Sequence, residues 1–268
     1  MGRRKLVYGN CKLCGEPGKL TYEHVPPKAA FNNGKSFYQA TLDELIKLDS
    51  VDLDLAKYSK YPLHNFTKKQ GGIGYFSLCG KCNNKTGSWY GSDFVSWSQQ
   101  AMFILLKSSG EPTLYYPTFF YPLRVIKQIV TMFFSLCIEG LDKQEPELKA
   151  FILNPEKRFL DKKYKVYCYY NLNGSFRYLA DNFIGNLNEN KITHASELSF
   201  PPFGFVFTMN SPRPDNRLTD ISHFANFPYN HWTDYYQKFN ALPTYLPHSP
   251  LDYRTKDEVI SAIMNSRL

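Results

Sequence analysis

Two Cys-x-x-Cys pairs, Cys11/Cys14 in CKLC and Cys79/Cys82 in CGKC, stand with 64 residues between them. Each pair is the tight knuckle that grips a tetrahedral metal through two thiolates, and two knuckles complete its shell. A chain built this way must return to its own N-terminal end across the whole intervening segment. The reading is a structural zinc ion at Cys11, Cys14, Cys79 and Cys82. Its shell has no open position, so this zinc cannot activate water. The alternative, four free core thiols, leaves the paired spacing without a cause. Cys137 and Cys168 stand alone in apolar runs and read as core residues.

Composition narrows the class. Apolar residues make up 43% of the 268 and charged residues 21%, a balance that excludes disorder over most of the length. That length suits one large domain or two ordinary ones. A net charge of +8 fits a polyanionic partner, because lysines and arginines neutralise phosphates and release counterions. The start, MGRRKLVYGNCKLC, is basic but has no apolar run of an export signal behind it. The most apolar stretch, YPLRVIKQIVTMFFSLCIEG, is interrupted by Arg124 and Lys127 and is short for a bilayer span. The expectation is therefore a cytoplasmic protein with no membrane partner, its cysteines held as metal thiolates in a reducing compartment.

Residues 1–92 contain both knuckles and form one unit, with an insert over about 28–70 whose middle, from about Thr41 to Ser59, has helical spacing. Gly71-Gly72 reads as a turn into a short strand that ends at Cys79. A helix is expected after Cys82, capped again near Ser92 or Asp93, and another over about Leu123–Glu139, with a proline- and tyrosine-rich connection from Glu111 to Pro122 between them. From about 147 to 235 the segments LKAFIL, YKVYCYY, SFRYLAD and FGFVFTM read as strands, with NLNG (171–174) a hairpin turn. TKDEVISAIMN reads as a last helix. The expected class is α+β: a zinc module, then helices and a mainly antiparallel β region over 93–268.

His24 carries the chemistry. It follows Glu23, lies ten residues beyond the first knuckle, and is followed by Pro26 and Pro27. Neighbours on a strand point to opposite sides, so Glu23 and His24 serve one site only at an irregular strand end, which the two prolines can supply. In this setting Glu23-His24-Val25-Pro26 and the later run Leu78-Cys79-Gly80-Lys81-Cys82-Asn83-Asn84-Lys85-Thr86-Gly87 resemble the HNH nucleases of the ββα-metal type, in the zinc-clipped, treble-clef-like form. The resemblance covers the first third of the chain.

What it implies is a metal-dependent endonuclease that hydrolyses phosphodiester bonds in nucleic acid, with DNA the expected substrate. His24 would be the general base that deprotonates a water. Glu23 and Asn83 would hold one Mg²⁺ or Mn²⁺, which suits their oxygen donors, and that ion would stabilise the phosphate and the leaving oxygen. Lys85 is a candidate phosphate contact. Modules of this kind serve in restriction, phage defence and mobile elements. Many members carry, five residues before the third zinc cysteine, an asparagine that orients the histidine. Gly74 stands there in this chain. Gln70 is the nearest polar substitute and a candidate substrate-side residue, with Asn65 and His64 further off. The alternative is a zinc module that binds nucleic acid or a protein without catalysis. His194, His223, His231 and His248 have no ligand spacing and read as structural, and Arg213 and Arg217 as a solvated loop. Residues 93–268 are expected to set the target or to bind a protein partner.

Overall fold

In the computed structural model, which describes residues 6–34, 37–39, 67–69, 71–136, 141–172, 176–186, 191–246, 249 and 251–265, the first knuckle sits between two short strands. These are β1 (Val7–Asn10) and β2 (Pro17–His24), paired antiparallel with Val7 opposite Leu20. A two-stranded ladder of β3 (Phe37–Gln39) and β4 (Thr67–Lys69) follows. The chain then re-enters through Gly71 and Gly72 at φ 86° and 107° and forms β5 (Gly74–Cys79), which pairs with β2. The expected helix over about 41–59 lies outside the described residues, as do Asn65, His64, Gln70, Cys137 and His248.

β5 hands directly into α1 (Gly80–Thr86) at the second knuckle. A π-helical turn at Gly87–Gly91 then leads without a break into α2 (Ser92–Lys107). The chain therefore needs no new cap at Ser92 or Asp93, and Asp93 instead binds Arg124 at 3.1 Å. After α2 come β6 (Thr113–Phe120), α3 (Pro122–Leu136), α4 (Leu141–Gln144) and α5 (Pro146–Leu153). Two of these differ from the sequence expectation. LKAFIL is helical, because Pro146 presets the first helical turn and Glu147 favours its N-terminus. The tyrosine-rich connection is an edge strand. Phe119, two residues on, turns its N–H and C=O to the outer edge, so alternation puts the N–H that Pro117 lacks on that outer edge too, where no partner strand needs it.

The second half is one twisted sheet in the order β6-β12-β7-β10-β9-β8, with β11 (Thr219–Asp220) also on β7. Its strands are β7 (Tyr164–Asn171), β8 (Arg177–Asn186), β9 (Lys191–Phe200), β10 (Phe203–Met209) and β12 (Thr233–Leu242). β12 and β7 run parallel; the other pairs are antiparallel. The NLNG hairpin is not formed, since β10 and β9 lie between β7 and β8. A final helix, α6 (Lys256–Asn265), closes the described chain. No helix among the described residues is long and apolar enough to cross a membrane. The architecture is mixed α+β.

Helices α2 and α3 cover the inner face of the sheet. Trp97 of α2 is fully buried and stacks on Phe203 with ring centroids 4.0 Å apart. The same apolar cluster runs from Cys11 and Leu78 through α3 to Phe239, so the clip and the sheet share a core. Lys127 of α3 lies inside it. Its ammonium donates to the carbonyls of Phe151 (2.7 Å) and Asn154, the open end of α5. Cys168 is buried as expected.

Candidate functional site

The four cysteine sulfurs lie within 4.8 Å of one another. A tetrahedral shell with Zn–S bonds of about 2.3 Å separates its sulfurs by about 3.8 Å, and Cys14 and Cys79 are 3.9 Å apart. That distance is far too long for a disulfide. The backbone supports the same grouping: the Cys79 amide donates to the Cys11 sulfur at 3.3 Å, and Gly15 donates to the Cys11 carbonyl at 2.7 Å. The donor set, distances and knuckle turns fit a structural zinc.

Three side chains fasten the clip to the helices behind it. Lys149 of α5 donates to the Cys14 carbonyl at 2.8 Å, and Lys12 reaches the Ser135 carbonyl on α3 at 3.4 Å. The third is Glu23. Its Oε2 accepts from Ser135 Oγ at 2.6 Å, and the residue is only 7% exposed. Burial pushes its carboxyl up to about 7, against the opposing hydrogen bond of Ser135.

Strand alternation separates Glu23 from His24. Thr21 and Glu23 project to one side of β2, and Tyr22 and His24 to the other, where their rings meet edge to face at 5.2 Å. Asn83, at the second knuckle, donates its amide to Thr21 Oγ1 at 3.0 Å. Lys85 is exposed on α1 and lies over the Trp89 ring at 5.5 Å. Asn83 thus meets β2 at Thr21, Glu23 turns inward to Ser135, and His24 stands beside Tyr22 on the half-exposed side. Glu23 spends Oε2 on Ser135 and keeps Oε1 as an oxygen donor, on a carboxyl that is itself buried.

His24 is held by backbone. Its Nε2 lies 2.9 Å from the Gly71 carbonyl oxygen. A carbonyl only accepts, so Nε2 carries the proton and Nδ1 is left with the lone pair. Gly74 pairs with His24 across the strands, and a Cβ there would lie 2.1 Å from the Glu23 carbonyl oxygen. The position has no room for an asparagine. At Gly72, which also has positive φ, a Cβ would meet the Asn32 carbonyl at 2.3 Å and the His24 ring at 2.8 Å.

The residue that sequence reasoning missed is Asn32. It is fully buried, and its amide donates to the carbonyls of Pro26 and Ile73 while its Oδ1 accepts from the Ile73 amide, each at 2.7 Å. One side chain thereby ties the strand exit after His24 to the turn that carries Gly71. Val25 N–H to Ile73 O at 3.0 Å and Tyr178 Oη to Val25 O at 3.1 Å complete the tie. The available signals were the Asn33-Gly34 turn beside Asn32 and the Gly71-Gly72 pair facing it.

Comparison with known proteins supplies no family: no family model matches the chain, and neither does any curated protein or solved structure.

Proposed function

We propose that the chain is a metal-dependent endonuclease of the HNH type that hydrolyses phosphodiester bonds in nucleic acid, DNA being the first substrate to test. The observation that carries this reading is the tether on His24: a carbonyl at 2.9 Å from Nε2 leaves Nδ1 as a basic nitrogen on a half-exposed ring. Such a histidine accepts a proton from a water placed against it. Two further features support the reading. The β2–β5–α1 order is a strand, strand and helix closed by a thiolate clip, and the basic chain suits a polyanion. A bound Mg²⁺ or Mn²⁺ would supply Lewis acidity at the phosphate and the leaving oxygen. Asn83 and Glu23 are the donors on offer, and Lys85, exposed on α1, is the candidate phosphate contact.

The test is plasmid cleavage with Mg²⁺ or Mn²⁺ by the wild type and by His24→Ala, each checked for zinc content. Loss of a general base lowers the rate by roughly 10²- to 10⁴-fold, so equal cutting by the two proteins ends the proposal. A second reading, a zinc-clipped module that binds nucleic acid without cutting, has one observation in its favour: Glu23 faces the interior on the side away from His24. It predicts binding without cleavage by either protein.

A further inference from the structure

The outer face of the β6–β12 ribbon is covered by rings. Tyr115, Phe119, Trp232 and Tyr236 are each between 45 and 62% exposed. They form two cross-strand pairs: Tyr115 against Tyr236 at 5.4 Å, and Phe119 stacked on Trp232 at 5.5 Å and 21°. Pro117 lies between the pairs, opposite Tyr236, and Lys238 opposite Tyr115. The inner face of the same ribbon is buried core at Leu114, Phe120 and Phe239. The rings therefore stand on a rigid support, with their outer surfaces in water, at a cost that the fold does not require. Isolated exposed apolar residues need no explanation, but four contiguous rings mark a binding surface.

We propose that this face binds single-stranded nucleic acid by stacking its bases. Three observations favour that occupant. The face offers rings, a proline, Lys238 and Asp234, and no aliphatic side chain; every base has a π-face, so such a surface binds single strands with little sequence preference. A duplex keeps its bases stacked on one another and presents no such faces. The chain carries a net charge of +8, with Lys238 on the face itself, which suits the phosphates that accompany the bases. Finally, the edge of the ribbon is closed to a peptide strand at Phe119, whose N–H and C=O are both bound by Gln100 of α2 at 2.8 Å. A protein strand adding to this sheet needs those groups; a ligand lying on the rings does not. Because Asp234 lies on the same face opposite Phe119, stacking and not charge supplies most of the affinity.

The inference deepens the nuclease reading by making its substrate single-stranded, and it rests on that reading only for the cutting. The experiment reads binding alone: full-length chain without added Mg²⁺ or Mn²⁺, titrated with oligothymidylate and with a matched hairpin duplex, following tryptophan emission. The expected result is quenching by the single strand that disappears in Trp232→Phe, and a roughly five- to hundredfold weaker affinity in Tyr236→Ala. With one lysine on the face, log K falls with log salt at a slope of only about −0.7. Stronger binding to the duplex, quenching undiminished in Trp232→Phe, or no loss in Tyr236→Ala overturns the proposal. Failure of the cleavage assay with this binding intact would sink the nuclease reading and leave the platform standing.

Discussion

Asn32→Ala tests whether one buried side chain holds the candidate site together. Asn32 makes three bonds of 2.7 Å to Pro26 and Ile73 and is fully buried. Each bond contributes about 1 kcal/mol net, and stranding the Ile73 amide adds about 1–3 kcal/mol. The expected loss is therefore about 4–6 kcal/mol, a large share of the 5–15 kcal/mol that a folded protein has in hand. At about 2–4 °C per kcal/mol for a chain of this size, the melting temperature falls by about 10–20 °C. The turn that presents Gly71 to His24 loosens with it. If the nuclease reading holds, kcat then drops by roughly tenfold to a hundredfold while KM changes little, since a base misplaced by about 1 Å costs that much. Asn32→Asp is the sharper variant, because it retains the acceptor for Ile73 N–H but turns an acceptor toward two carbonyls. It is less stable than Ala at pH 8. Its folded-state pKa is raised, so its deficit shrinks as pH falls. Thermal melts at pH 5 and 8, with hydrogen exchange of the Ile73 amide, read all of this. An Asn32→Ala protein that melts within a degree or two of wild type would refute the argument.

Three further outcomes follow from the packing. Purified protein is expected to carry one zinc per chain, and chelation or Cys82→Ser removes it together with protection of β1, β2 and β5 in hydrogen exchange; full retention of that protection would exclude a structural metal. Glu23→Gln separates burial from catalysis. The native carboxyl is raised to about 7 by burial, so its contribution is fully present below the unfolded pKa near 4.3 and is lost as pH rises to about 7, roughly 4 kcal/mol in all. The glutamine variant keeps the Ser135 bond and should gain about that much over wild type at pH 8 and nothing at pH 4; denaturant titrations at the two pH values decide it. Arg177 and Glu197 form a buried pair at 3.1 Å, with Tyr169, Tyr253 and the Leu251 amide on the same carboxylate. Arg177→Ala should cost about 3–5 kcal/mol and release the 251–253 segment, while Arg177→Met with Glu197→Leu recovers most of the loss.

What was legible in the sequence was the part that spacing alone determines. Two knuckles, the Gly71-Gly72 turn, the strand ending at Cys79 and the buried helix at α3 all follow from local patterns. LKAFIL was misread because a six-residue apolar run has no period long enough to tell a helix from a buried strand. The signal lay just before it, in Pro146 and Glu147. NLNG was misread for a different reason. Turn residues report a local reversal, whereas the neighbours of β7 are β10 and β12, which reach it from residues 203 and 242. No local pattern contains that pairing.

The histidine tether shows where motif reasoning reaches its limit. A motif names a residue type at a position, but the task here is to put one hydrogen-bond acceptor beside Nε2. At Gly74 the backbones of β2 and β5 approach too closely for any side chain, since a Cβ would lie 2.1 Å from Glu23 O. An asparagine there would push the strands apart and move the histidine that it was meant to orient. The chain uses a carbonyl at Gly71 instead, and that carbonyl is useful only if the turn holding it is rigid. Two adjacent glycines at positive φ make a turn that is permitted but not stiff. Asn32 supplies the stiffness, because it binds both the turn and the strand exit. The asparagine that looks missing at 74 therefore has a counterpart that acts one step removed, through backbone. An Asn introduced at 74 should lower stability by overpacking and restore nothing at His24, whereas loss of Asn32 should harm both.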